Sequence, residues 1–597
     1  MDKQATFGFI LIGIVLVVWM VLQAPQAPPP RAAVQDTTHA VGPVVRDTVH
    51  RESAPPAAVD TGTRGGEQSR FFAQRVSGGE KVVVIKTDLY IAELTTRGGM
   101  LKKWELQKYL SWDKQPVQLV DFDRGGDFSL LFTSSDGKLV NTRSLYFDTN
   151  HPSWQTIELT HDDSVTIEMV LPAEGGGRII KRFTFTNGKY DFVADLIFDG
   201  IAGVLSNFEY QVVWENGLRY SEENSVDESG YATAYAYSGG ELAEIDAKNP
   251  NEPVKRDFNG ATSWVSTHTK YFTMALLADE GKAQGGYLEG HSVHAPNGGM
   301  KETYSVALKM PFKGGGREEA RVQVYLGPMQ YEAIKGLHRG LEQTMSLGAA
   351  WIIRPIAEYV MIPLFEFLRS FIPNYGVVII IFSIIIKIAL QPLTRTSMKS
   401  MRKIQALQPL MAEIKEKHKD DPEKMNQQTM NLYKEYGVNP AAGCLPLLLQ
   451  MPILFALYQV FRSTIELRQA SFVWWIRDLS IPDTVLHLPF TIPLVGVSQI
   501  SGIVIAMGVT MFVQQKMTPT DPRNKAMVWL MPVMFTLMFN GLPSGLNLYY
   551  FVFNILSIGQ QYWFNKKHKD EPLRKVDPKK RAEGIMGRLA KNLPKTR

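Results

Sequence analysis

The sequence predicts a mixed fold: a polytopic α-helical membrane core with six transmembrane helices, joined to a large all-β sandwich domain held outside the cytosol. Three observations carry that expectation. Long apolar runs are confined to Phe7–Leu22 and to the region after Asn374. Short runs of alternating character, separated by Gly, Asn and Asp turns, fill residues 70–330. Lys and Arg concentrate in alternate loops of the second apolar region. At 597 residues the chain is also too long for one compact unit, and its near-zero mean hydropathy averages very polar and very apolar regions.

Residues 1–23 read as an uncleaved membrane anchor with its N-terminus in the cytosol. The apolar run follows Lys3, and the flanking Gln23-Ala24-Pro25-Gln26-Ala27-Pro28 offers no clean small-x-small cleavage site. Residues 24–69 are rich in Pro, Ala, Thr and charge, cannot bury enough apolar surface to order themselves, and form a tether. Residues 70–330 contain runs such as Val82-Val83-Val84-Ile85 and Arg182-Phe183-Thr184-Phe185-Thr186, which predict the sandwich. Within residues 331–372, Tyr331–Leu347 reads as a polar helix. Trp351–Phe371 reads as an amphipathic one, with Ile352, Ile356, Tyr359, Val360, Leu364, Phe367 and Phe371 at helical spacing, suited to the membrane interface.

Residues 373–565 hold five further apolar segments: Asn374–Leu393, Leu445–Phe461, Leu488–Val513, Ala526–Phe539 and Leu546–Phe564. With the anchor they make six spans. The loop after Arg395, the Lys516–Lys525 turn and the tail are basic, whereas Ile465–His487 is not, so both termini are expected in the cytosol. Between them, residues 395–437 predict a cytosolic helical hairpin, with Pro409 and the Asp420-Asp421-Pro422 break suggesting two helices joined by a turn. Arg402, Lys403, Lys415 and Lys417 on it are candidate recruitment residues, although its charges also set topology. The tail, residues 566–597, carries Lys566, Lys567, Lys579, Lys580 and Arg581, which suit anionic lipid or a phosphate backbone; topology alone is the plainer reading.

Lys387 is the sharpest single signal. It sits in an apolar span, where an unpaired ammonium costs roughly 2.5–3.5 kcal/mol at mid-helix. Snorkelling to the cytosolic end is one answer. The other is a hydrated groove, because Ser383 and Gln391 flank Lys387 by one helical turn, and Asn547, Tyr550, Asn554, Ser557 and Gln561 form a second polar line in the last span. A Ser383–Lys387 nucleophile and base pair is an alternative, but no glycine-rich oxyanion loop flanks it. A channel or transporter for a small solute is another. No His-Glu-x-x-His or nucleotide-binding glycine motif is present, and His268, His291 and His294 lack ligand spacing. The single Cys444 excludes an intrachain disulfide or cysteine-based metal cage. No cofactor, metal or DNA partner is therefore expected.

Several motifs resemble the YidC/Oxa/Alb membrane protein insertases. They include Gln391-Pro392-Leu393-Thr394, Ser400-Met401-Arg402-Lys403, Leu407-Gln408-Pro409, Val438-Asn439-Pro440 through Gly443-Cys444-Leu445-Pro446, and Gln450-Met451-Pro452. Glu466-Leu467-Arg468-Gln469-Ala470, Trp475-Ile476-Arg477-Asp478-Leu479 and Pro543-Ser544-Gly545-Leu546 before Leu548-Tyr549-Tyr550 complete the series. The anchor, tether and outer domain match the Gram-negative layout. The resemblance implies a periplasmic super-sandwich without catalysis, a bacterial inner-membrane location, and a five-helix core whose groove opens to cytosol and lipid. It implies no enzyme but an insertase and folding aid for nascent membrane proteins, working alone or with a Sec-type translocon, with ribosome and lipid contacts through the tail. Lys387 stands where the family commonly has arginine, which keeps the charge and loses the planar fork. Ser383 and Tyr550 fall where the family contacts its substrate helix.

Overall fold

A computed structural model of the chain describes residues 69–250, 252–279, 281–295, 298–419, 421–438, 445–492, 497–517, 525–568 and 575. The expected anchor, the tether up to residue 68 and Lys579, Lys580 and Arg581 lie outside them. The chain divides into two compact units, which part after Pro328.

The first unit is all-β. An eight-stranded sheet runs in the order Glu241–Ile245, Thr233–Ser238, Thr262–His268, Phe272–Ala278, Arg317–Pro328, Asp191–Asp199, Arg178–Thr186 and Ser164–Pro172. A six-stranded sheet runs Val254–Asn259, Gly285–His294, Met300–Pro311, Leu205–Trp214, Ser129–Ser134 and Leu139–Asn141. A five-stranded sheet is built on Pro116–Gln118, Met100–Leu110, Tyr90–Thr95, Val82–Lys86 and Gln155–Glu158. Phe192 of the large sheet meets Trp104 of the five-stranded sheet at 5.7 Å and Phe128, beside Ser129, at 6.3 Å. The two smaller sheets therefore share one face of the large one, giving a two-layer sandwich with an aromatic core. At Gly286 a Cβ would lie 3.1 Å from the Val265 side chain, so glycine there permits the close approach of the layers.

The second unit is helical. Its main elements are α1 (Ile362–Phe371), α2 (Tyr375–Ala389), α3 (Gln391–Ala406), α4 (Gln408–Lys417), α5 (Pro422–Glu435), α6 (Leu445–Ser463), α7 (Gly502–Met517), α8 (Lys525–Phe539) and α9 (Ser544–Lys567). Helix α2 packs on α9, and α7 packs on both α8 and α9. Among the described residues no single helix is both long and apolar enough to cross a bilayer by itself; Tyr375–Ala389 and Thr394–Ala406, bent by 66°, reach that length together.

Two expectations need correction. The polar helix over Tyr331–Leu347 reduces to Tyr331–Lys335 and a short 3-10 turn at Leu341–Thr344, because Gly336 ends the first piece and Gly340 adopts φ 75°. The amphipathic helix is present as a continuous run over Ile353–Phe371, with a π-turn at Ala357–Met361 leading into α1, where Pro363 lacks a backbone donor. Its packing face is Ala357, Met361, Ile362 and Leu368, while Tyr359, Val360, Phe367 and Phe371 of the predicted stripe point outward. The span over Leu488–Val513 is replaced by a β-hairpin, Thr484–Ile492 paired with Val497–Ser501, followed by α7. Pro489 and the β-branched residues around it disfavour a helix there.

In the region of the expected hairpin the break at Asp421 is present, and its carboxylate accepts from the Lys424 amide at 3.0 Å as the N-cap of α5. A second break at Leu407 makes three helices. Leu407, Leu432 and Val438 form their small core.

Candidate functional site

The buried positions of α2 are Gly376, Val378, Ile379, Phe382, Ser383, Ile386 and Lys387. Their three-and-four spacing puts Lys387 on the packed face of the helix, not on its lipid side. Gly376 allows that packing at the helix start, since a Cβ there would lie 2.0 Å from the Phe472 ring.

Lys387 is turned inward and only 9% exposed. Its Nζ donates to Ser557 Oγ of α9 at 2.6 Å and lies 4.3 Å from the centre of the Phe553 ring. The Ser557 hydroxyl in turn donates to the Phe553 carbonyl at 2.7 Å, which leaves an oxygen lone pair facing the ammonium. The ring face supplies further negative potential. Ser383, on the same side of α2, is fully buried and donates to the Ile379 carbonyl at 2.7 Å. The two side chains of the serine–lysine alternative are thus directed to different partners. Gln391, at the start of α3, is half-buried.

The polar residues of α9 each have their own partners. Asn547 donates to the carbonyls of Phe539 and Leu542 at 3.3 and 3.2 Å, holding the turn between α8 and α9. It sits ten residues, or about 15 Å of helix rise, from Ser557. Half-buried Tyr550 packs edge-on against Phe539 and Tyr549. Asn554 reaches Thr510 Oγ1 of α7 at 3.5 Å, and Gln561 pairs with Asn565 at 2.9 Å. Among the described residues, Asn547 Oδ1 and the Tyr549 hydroxyl are buried without a hydrogen-bond partner. Tyr549 and Phe553, aromatic residues within four positions of Asn547 and Ser557, share those turns of α9.

Of the recruitment candidates, Lys403, Lys415, Lys417, Lys566 and Lys567 are exposed and Arg402 is half-buried. Lys567 lies over the Trp563 ring at 5.0 Å. No group of three or more potential metal ligands occurs among the described residues.

A β-sandwich unit followed by a helical unit with a cation buried between apolar helices defines an integral membrane protein carrying a water-exposed domain. Comparison with known families matches residues 82–359 to the YidC periplasmic domain and residues 367–571 to the 60Kd inner membrane protein family. Membrane protein insertases named YidC from Chlorobaculum tepidum and Chlorobaculum parvum are 39% and 38% identical over 582 and 576 residues, covering 96% of this chain and 96% of each relative. The Chloroherpeton thalassium relative is 38% identical over 580 residues. A crystal structure of an active YidC insertase aligns with 82% of this chain and 93% of that one, at 19% identity and a TM-score of 0.35. The chain belongs to the YidC family of membrane protein insertases, and its β unit is the periplasmic domain of an inner-membrane protein.

Proposed function

We propose that this insertase crosses the membrane six times, with both termini in the cytosol, and moves substrates along a polar path centred on Lys387. The observation that carries the reading is the Lys387–Ser557 contact: a cation held between two apolar helices by one hydroxyl and one aromatic face. Such a charge attracts acidic or polar substrate segments and water. Asn547 Oδ1 and the Tyr549 hydroxyl add polar atoms that each cost about 1–3 kcal/mol until water or substrate meets them. Ser383, Gln391, Asn547, Tyr550 and Asn554 line the path in this reading. A short polar segment is hydrated part-way across, and the apolar helix leaves sideways into lipid. The exposed lysines of α3, α4 and the α9 end, with the basic tail, recruit ribosomes or anionic lipid, and a Sec-type translocon cooperates on larger substrates.

Photoreactive residues at Tyr550 and Gln391, with exposed Trp529 of α8 as a control, test the path during insertion of a stalled nascent chain. Crosslinks from the first two and not from Trp529 are expected. Silence at Tyr550 and Gln391, with the stalled chain inserted, overturns the proposal.

A further inference from the structure

Residues 484–515 contain no Asp, Glu, Lys or Arg, yet only the second half of this stretch is helical. Helix α7 has 16 residues. At 1.5 Å per residue it is about 24 Å long, roughly 6 Å short of a hydrocarbon core about 30 Å thick. The residues before it form the hairpin Thr484–Ile492/Val497–Ser501, whose Val485, Leu486 and Phe490 are exposed. Beside its base stands Trp474, 85% exposed and stacked on Trp475 at 5.7 Å.

This apolar surface is held firmly to the helical unit. Buried Asp483 accepts from Trp475 Nε1 at 2.8 Å, from the Ile503 amide at 2.8 Å and from the Ser501 hydroxyl. Asn540, just beyond α8, accepts from the Ser501 amide at 2.9 Å and donates to the Gln499 carbonyl at 2.5 Å. A Cβ on Gly502 would lie 2.7 Å from the Trp475 indole, so that ring covers the start of α7. The base of the hairpin, with Val485 and Leu486 beside it, is therefore held near the start of α7.

We propose that the strands Thr484–Ile492 and Val497–Ser501, together with Trp474, dock on the outer-leaflet lipid of the bilayer at the headgroup–acyl boundary, beside the end of the short α7 span. The occupant is lipid because the surface continues directly into a membrane helix, carries no charge to repel acyl chains, and ends in an indole suited to the interface. A two-stranded ribbon keeps unpaired backbone groups along its edges, which holds it at the hydrated boundary and out of the hydrocarbon. The inference rests on the reading of α7 as a span.

The test uses the full chain with Cys444→Ser, reconstituted in phosphatidylethanolamine–phosphatidylglycerol vesicles, with a cysteine introduced at Leu486, at Phe490 or at Val509 in α7. Each cysteine carries an environment-sensitive fluorophore. At Leu486→Cys and Phe490→Cys, blue-shifted emission and stronger quenching by a nitroxide at a shallow acyl position than by aqueous iodide are expected. At Val509→Cys a deep acyl nitroxide should quench best. Iodide quenching at Leu486 and Phe490 with deep quenching at Val509 overturns the hairpin docking alone. Protection of Leu486 and Phe490 from both quenchers marks a protein contact and also overturns it. Iodide quenching at Val509 overturns the span reading and the inference together.

Discussion

Lys387 of α2 and Ser557 of α9 lie 170 positions apart in sequence and 2.6 Å apart in space, with the lysine donating and the serine proton turned away to Phe553. The contact joins two helices through a charge that the surrounding apolar side chains disfavour. Function and stability should therefore pull in opposite directions at this site.

Lys387→Met is expected to raise the thermal stability of the detergent-solubilised protein, since a cation among apolar side chains is disfavoured, though by less than the roughly 2.5–3.5 kcal/mol of a mid-helix position because Lys387 lies in the last turn of α2. It should also lower insertion of a small membrane protein several-fold, read as protease protection in proteoliposomes. Lys387→Arg should keep most of the insertion. Wild-type insertion by Lys387→Met would remove the cation from the mechanism.

Ser557→Ala takes away the hydroxyl partner and leaves the ammonium to the Phe553 ring. A loss of about 1–3 kcal/mol is expected. In a double-mutant cycle with Lys387→Met, a coupling energy of about 0.5–3 kcal/mol should appear in unfolding experiments. Simple additivity would show that the two side chains do not interact in the membrane.

In the β unit, burial pushes the Glu302 carboxyl up to about 7, against the opposing hydrogen bond from Tyr304. Tyr304 Oη donates to Glu302 Oε2 at 2.5 Å and accepts from the Ala247 amide at 2.9 Å, so the carboxyl sits inside a local network. Because the folded pKa lies above the ordinary value of 4.5, the stabilisation is full below that value and fades as pH rises through about 7. Amide exchange in Met300–Pro311, corrected for its intrinsic pH dependence, should show falling protection from pH 5 to 8. Glu302→Gln should flatten that trend; an unchanged trend would place the titrating group elsewhere.

Lys181 is fully buried and donates to the carbonyls of Gly98, Gly99 and Phe128 at 2.9, 3.1 and 2.9 Å. It ties the Gly98–Gly99 turn to Phe128, and all three carbonyl-bearing residues have positive φ. Lys181→Met retains length and removes the donor, so a loss of about 2–3 kcal/mol is expected in urea unfolding of the full chain followed by tryptophan emission. Insertion by the folded fraction should not change.

Lys415 and Lys417 are exposed on α4, so their reversal to Glu should leave the fold intact. Co-sedimentation with ribosomes should weaken and lose part of its salt dependence. If binding and its salt slope stay at wild-type values, α4 is not part of the recruiting surface.

Much of this was legible in the residues themselves. Alternating apolar runs announced the strands, and the charge at Lys387 stood out because insertion scales price it at several kcal/mol in any apolar helix. Asp421 marked a helix start because a side-chain cap acts within one turn. What remained hidden depends on contacts between distant segments. Hydropathy cannot separate an apolar hairpin from an apolar helix, so Leu488–Val513 read as one span. The stripe of Tyr359, Val360, Phe367 and Phe371 was visible, but not that Ala357, Met361 and Ile362 would form the packing face. The line from Asn547 to Gln561 was visible as polar, but its division among the α8–α9 turn, Thr510, Lys387 and Asn565 was decided by which helices pack on α9. Sequence alone determined the class of fold, the family and the residue whose charge needs an answer. Tertiary structure decided that Ser557 and Phe553 supply it, because a hydrogen bond and a ring face act over a few ångströms, and only packing brings position 387 to position 557.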